Sequence, residues 1–184
     1  MKKLLLSAAV ISLMIACEQK PDNVSSYPTG SDSSAVTAAS SEEEKEERNK
    51  AIALESVKDV SNHDVDSGLK HVAAETVDYG DGSMPAIKNK DTIVAGIKSF
   101  IAAFPDYKGD NLEAVADGDK VLVYGDWSGT FKNDFMGMKA TGKSFKVKDV
   151  DIFTFNDKGE IVEHRSIVPW VHIMSQAGVP PPKK

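Results

Sequence analysis

The chain has 184 residues, 41% hydrophobic and 27% charged, with 13 Gly and 8 Pro. That is the size and mix of one ordinary globular domain, not of a low-complexity or collagen-like chain. A net charge of −6 sets it against nucleic-acid binding, which needs a basic face, and one Cys excludes a disulfide framework or a cysteine zinc cluster.

Read from the start, the chain joins Lys2-Lys3 to an apolar run from Leu4 to Ala16 and then Cys17. These are the parts of a secretory signal, and the run is shorter than the roughly 20 residues that cross a bilayer. Met14-Ile15-Ala16-Cys17 resembles the bacterial lipoprotein lipobox. The resemblance implies removal of residues 1–16 and acylation of Cys17, at its sulfur and new amino group, with palmitate-type chains. The expectation is a cell-envelope protein held on the membrane by lipid. Glu18, where some bacteria place an Asp retention signal, points to the outer membrane. Residues 17–48 are poor in apolar side chains and read as a disordered tether reaching on the order of 30 Å. Its acidic end, Glu42–Arg48, is either solvated chain or the start of a helix. The folded domain is expected over residues 49–184.

Residues 47–61 set Ala53, Leu54, Val57 and Val60 at helical spacing. Asn62-His63-Asp64 breaks that helix, and Asp64 or Asp66 can cap a second one to about Val72–Ala74. Thr76–Tyr79 predicts a short strand. Asp91 can cap a third helix, Thr92–Phe104, with an apolar stripe of Ile93, Ile97, Phe100, Ile101 and Phe104, and Pro105 stops it. The period then changes to two. Strands are predicted at Asn111–Ala116, Lys120–Phe131, Ser144–Phe155 and Glu160–Val168, with a hairpin turn at Asn156–Gly159 and a polar loop at Asn133–Gly142. A short helix, Trp170–Gln176, closes the chain. Helices first and an antiparallel meander second indicate an α+β fold with helices packed on one face of a curved sheet.

Several segments in this order resemble SnoaL-like proteins. They are Asn62-His63-Asp64, Glu75-Thr76-Val77-Asp78-Tyr79, Phe104-Pro105-Asp106, Gly129-Thr130-Phe131 and Phe135-Met136-Gly137. The closing run Val150-Asp151-Ile152-Phe153, then Gly159-Glu160-Ile161-Val162-Glu163-His164, then Gln176-Ala177-Gly178-Val179, is similar to that family's C-terminal signature. The resemblance implies a cone-shaped half-barrel of the nuclear transport factor 2-like type with a central pocket. It also implies either acid/base chemistry of the cyclase, isomerase or dehydratase type, or ligand binding without chemistry. Pairing into homodimers through the outer sheet face is a third implication. The family's cyclases carry an Asp four residues after a Glu-His-Trp motif. Here the motif reads Glu163-His164-Arg165 and the fourth residue on is Pro169, which favours binding over catalysis.

Strand parity gives a separate view of the site. Asp149 and Asp151 interrupt an apolar face with Phe145, Val147, Phe153 and Phe155, so Asp151 is the candidate proton carrier. Arg165, sharing its face with Ile161, Glu163 and Ile167, is either its partner or an anion anchor, unless the two form a structural ion pair. Tyr79 is either a hydrogen-bond donor to a carbonyl or a rim aromatic. Trp127 either stacks on a flat ligand or packs in the core with Val121, Val123 and Phe131. Phe100, Phe153 and Met136 complete the expected pocket, with Met136 in a loop that is either a lid or a plain hairpin. His164 falls on the opposite parity to Arg165 and is expected at the surface or against a helix. No phosphate loop, nucleophile elbow or metal spacing is present, so no cofactor and no metal are expected. The expected partner is a small apolar or carbonyl-containing molecule.

Overall fold

The computed structural model describes residues 33–180. The expected signal, Cys17 and the first part of the tether lie outside the described residues. No described helix is long and apolar enough to cross a membrane.

The first helix, α1 (Ser33–Ser61), begins well before Asn49. The acidic run expected to end a tether is therefore helical. It is also fastened: Glu46 accepts a hydrogen bond from the Gly118 amide at 2.7 Å, and Lys45 lies 3.8 Å from Asp157. Both partners sit in turns between strands, so the run is held by contacts that lie far away in sequence. His63 ends the helix with φ 68°, and its Nε2 lies 3.0 Å from the Tyr107 carbonyl oxygen. Asp64 caps α2 (Val65–Gly68) by accepting from the Ser67 amide at 3.1 Å. Helix periodicity predicts α2 to continue to about Ala74, but β1 (Val72–Asp78) has already begun. Pairing with a remote strand overrides the local helical preference of Ala73-Ala74-Glu75. The cap of α3 (Lys90–Ala103) is Asn89, which accepts from the Thr92 amide at 3.0 Å, and not Asp91.

Strands β2 (Lys108–Asp117), β3 (Lys120–Thr130), β4 (Ser144–Phe155) and β5 (Ile161–Ser166) form the predicted antiparallel meander, followed by α4 (Trp170–Gln176). The sheet order is β1-β5-β4-β3-β2, with β1 parallel to β5. The sheet is thus mixed rather than wholly antiparallel: β1 reaches β5 from the far end of the sequence, which permits a parallel edge pair. The architecture is α+β, with N-terminal helices on one face of a curved, unclosed sheet.

Inward residues alternate cleanly along β3, where Val121, Val123 and Trp127 are buried, with Phe131 just beyond the strand end. Phe145, Val147, Phe153 and Phe155 do the same along β4, and Ala53 and Val57 of α1 close over them. Phe104 stacks on Phe131 at 5.2 Å and meets Phe145 edge-on at 5.5 Å. Such pairs add about 0.5–1.5 kcal/mol beyond their burial. At Gly125 the sheet leaves no room for a side chain. A Cβ there would lie 2.7 Å from Leu112 Cδ2 and 2.9 Å from the Asp110 carbonyl oxygen. This is where β2 bulges, with Asn111 at φ 53°.

Candidate active site

Three strands converge on His164. Asp78 at the end of β1 is its direct partner across the parallel pair, and Phe153 of β4 faces it across the antiparallel one. His164 Nδ1 lies 3.0 Å from Asp78 Oδ1, and Nε2 lies 3.2 Å from Asp151 Oδ1. The Phe153 ring tilts over the imidazole with 5.2 Å between centroids. An imidazole with an acceptor carboxylate on each nitrogen can donate to both only when it is protonated.

The electrostatics follow from this geometry. Burial opposes charge on His164, but hydrogen bonds to Asp151 and Asp78 and their negative charges outweigh it, and its pKa is pushed up to about 10. Burial also acts on Asp78, but there the His164 contact and the Gly80 amide win and hold the carboxyl below its usual range. Asp151 goes the other way. Burial raises it, with help from Asp149 and Asp78, against the pull of His164. The three groups thus differ: a firm carboxylate, a cation, and a carboxylate made more basic. His164 keeps 28% of its side-chain surface exposed, so protons can reach the cluster.

A cavity of about 190 Å³ lies between this cluster and the helices, walled by Val57, Leu69, Ile97 and Phe100. A second, of about 290 Å³, extends towards α4 and shares Asp78, Phe100, Tyr107, Trp127, Asp151 and His164 with the first. Burial, with the charges of Asp151 and Asp149, raises the Tyr107 phenol well above its ordinary value despite a hydrogen bond from Trp127. Its hydroxyl therefore remains protonated and able to donate to a bound oxygen. Among the described residues, no three His, Cys, Asp or Glu side chains are grouped to hold a metal ion.

The structure sorts the sequence-predicted residues. Asp151, Trp127, Phe100 and Phe153 all line the cavities. Met136 does not: it is 63% exposed at φ 48° in the tight turn between Phe135 and Met138. Its neighbour Phe135 turns inward instead, 6.1 Å from the Phe100 ring. Tyr79 and Arg165 also lie outside the cavities and meet each other, with the guanidinium carbon 3.8 Å from the tyrosine ring centroid. Arg165 pairs opposite Ile152, so it forms no ion pair with Asp151.

The cause is one residue of backbone. Thr154 pairs with Glu163 but Phe155 pairs with Ile161, so β5 carries an extra residue, Val162, against β4. This bulge reverses the alternation midway. Ile161 points inward, and after Val162 the inward position passes to His164. His164, expected at the surface or against a helix, is the centre of the site, and Arg165 faces out. Asp78 and Tyr107 join it, neither identified as a pocket group from the sequence. Pro169 begins α4 as its cap residue, and the cavity's carboxylates come from β1 and β4 instead.

Residues 51–177 match the SnoaL-like polyketide cyclase family. Among solved structures, AclR, a proposed hydroxylase from Streptomyces galilaeus, is 24% identical with a TM-score of 0.61, over 74% of this chain and 84% of that one. A proposed SnoaL-like polyketide cyclase from Jannaschia sp. CCS1 is 21% identical with a TM-score of 0.65, over 74% and 95%. IdmH, a proposed polyketide cyclase from Streptomyces antibioticus, is 26% identical with a TM-score of 0.55, over 71% and 99%. No curated protein matches the chain.

Proposed function

The chain belongs to the SnoaL-like polyketide cyclase family, and from that membership we propose that its cavity takes a small, largely apolar carbonyl compound and moves a proton at the carbon beside the carbonyl. The observation that carries this reading is the half-buried Asp151 held by His164 in an apolar cavity. A carboxylate with a raised pKa is a better base than one in water. Asp151 accepts the α-proton, and the electron pair of the C–H bond moves onto the carbonyl to give an enolate. Tyr107 donates a hydrogen bond to the oxygen where that charge collects. His164 stays protonated, orients Asp151, and is itself held by Asp78. Where the compound carries a β,γ double bond the enolate extends into a dienolate, and Asp151 then returns the proton to the γ-carbon, completing an isomerisation with no net change in atoms or electrons.

The test is hydrogen exchange. Cyclic enones incubated with the protein in D2O are expected to lose their α-proton NMR signals. Asp151→Asn is expected to slow this by about 10²–10⁴-fold, the usual worth of a positioned acid/base group. Equal exchange by both proteins would overturn the reading. A second reading, ligand binding without turnover, is favoured by Pro169 at the family's acid/base position and predicts probe binding with no exchange. We also propose attachment to the membrane through Cys17: labelled palmitate should enter the wild-type chain and not Cys17→Ser.

A further inference from the structure

We propose that the cavity between β4, β5 and α4 receives an organic ammonium group, so that the ligand of this site bears a cationic amine as one of its groups. The inference deepens the reading above, of which it needs only that the cavity takes a ligand and not that a proton moves.

Two independent properties of the walls meet here. The first is aromatic. Phe100, Tyr107, Trp127, Phe145 and Trp170 all border the cavity of about 290 Å³. They are not a stack: Phe100 meets Tyr107 at 5.1 Å and 78°, and Trp170 at 6.0 Å and 65°. The rings pack edge against face, and all five border the cavity. Ring faces carry negative quadrupole density, and several of them around one point attract a cation that hydrates weakly.

The second property is charge. Asp78, Asp149 and Asp151 border the same cavity, His164 is the one basic side chain among its lining residues, and no Lys or Arg lines it. Asp149 accepts from neutral donors only: the Ser166 hydroxyl at 2.7 Å and the Val150, Ile167 and Val168 amides at 2.7, 3.1 and 2.8 Å. The proton on His164 offsets one carboxylate and leaves negative charge against apolar rings. Each carboxylate is hydrogen-bonded, but the lining does not neutralise their net charge, and a ligand cation does. An anionic ligand meets repulsion instead. The volume also suffices, since about 150 Å³ accommodates a benzene ring.

Calorimetric titration of the full chain with three probes of one shape tests the inference: choline, neutral 3,3-dimethylbutan-1-ol and anionic 3,3-dimethylbutanoate. Choline is expected to bind at least about tenfold more tightly than the alcohol. The anion is expected to bind weakest. Asp151→Asn should reduce the choline preference while retaining the alcohol, which also reports an intact cavity. Trp170→Leu should weaken choline more than the alcohol. Alcohol binding without a choline preference would overturn the ammonium inference and leave the carbonyl reading standing. Choline preference without proton exchange would do the reverse. Failure of all three probes to bind would overturn the inference outright.

Discussion

Stability should fall steeply as pH rises from neutral to about 10, and His164 should be the reason. Its pKa is 6.5 in an unfolded chain and about 10 in the fold. The folded state therefore holds one more proton than the unfolded state across that window. Its stabilisation is complete below about 6.5 and is lost as pH climbs to about 10. The slope for one proton is about 1.36 kcal/mol per pH unit, so the whole window is worth at most about 5 kcal/mol. Asp78, lowered, stays ionised throughout. Against a typical total of about 5–15 kcal/mol, the loss is large. Urea unfolding followed by tryptophan fluorescence at pH 6.5, 8 and 9.5 measures it. Wild type should lose several kcal/mol, and His164→Gln should give a nearly flat line. Two results would refute the reasoning: a slope that survives in His164→Gln, or an imidazole NMR titration centred near 6.5 in the folded protein.

Other substitutions probe other parts of the argument. Gly125→Ala should destabilise by about 1–3 kcal/mol in chemical denaturation, because its Cβ meets the Asp110 backbone and Leu112. Asp149→Ala should cost about 2–4 kcal/mol by the same measurement, since it removes the acceptor shared by Ser166, Ile167 and Val168. Lys98→Ala should change stability by less than about 1 kcal/mol, because its 2.7 Å pair with Asp66 lies in solvent.

Most of the fold could be read from the chain, because its signals are local. The alternation in Ser144–Phe155 and the turn residues after it mark β4 to the residue, and the short closing helix read before Gly178 has the bounds of α4. β1 was harder: Ala73-Ala74-Glu75 favours helix, and the strand takes its place in the sheet by pairing with the remote β5. The limits of α1 fail for the same reason, since Glu46 gains its partner from Gly118. Asp151 was legible as a charge on an apolar face, and Trp127, Phe100 and Phe153 as apolar positions on predicted elements. His164 was not, because parity counts residues and a bulge adds one without any signal in composition. Asp78 needs the parallel pairing to reach His164, and Tyr107 looks like a turn residue after Pro105-Asp106.

The bulge at Val162 also governs what kind of change this site can survive. A substitution at Val162 keeps the count of residues and leaves His164 facing inward. A one-residue slip that flattened the bulge, with Val162 taken into the ladder opposite Thr154, would restore plain alternation and bring Arg165 opposite Asp151. Arg165 would then turn inward, a guanidinium in place of an imidazole, and His164 would face solvent beside Tyr79. Every side chain would be chemically intact, and the acid/base cluster would be dismantled. The arrangement is therefore robust to changes of letter and fragile to changes of frame.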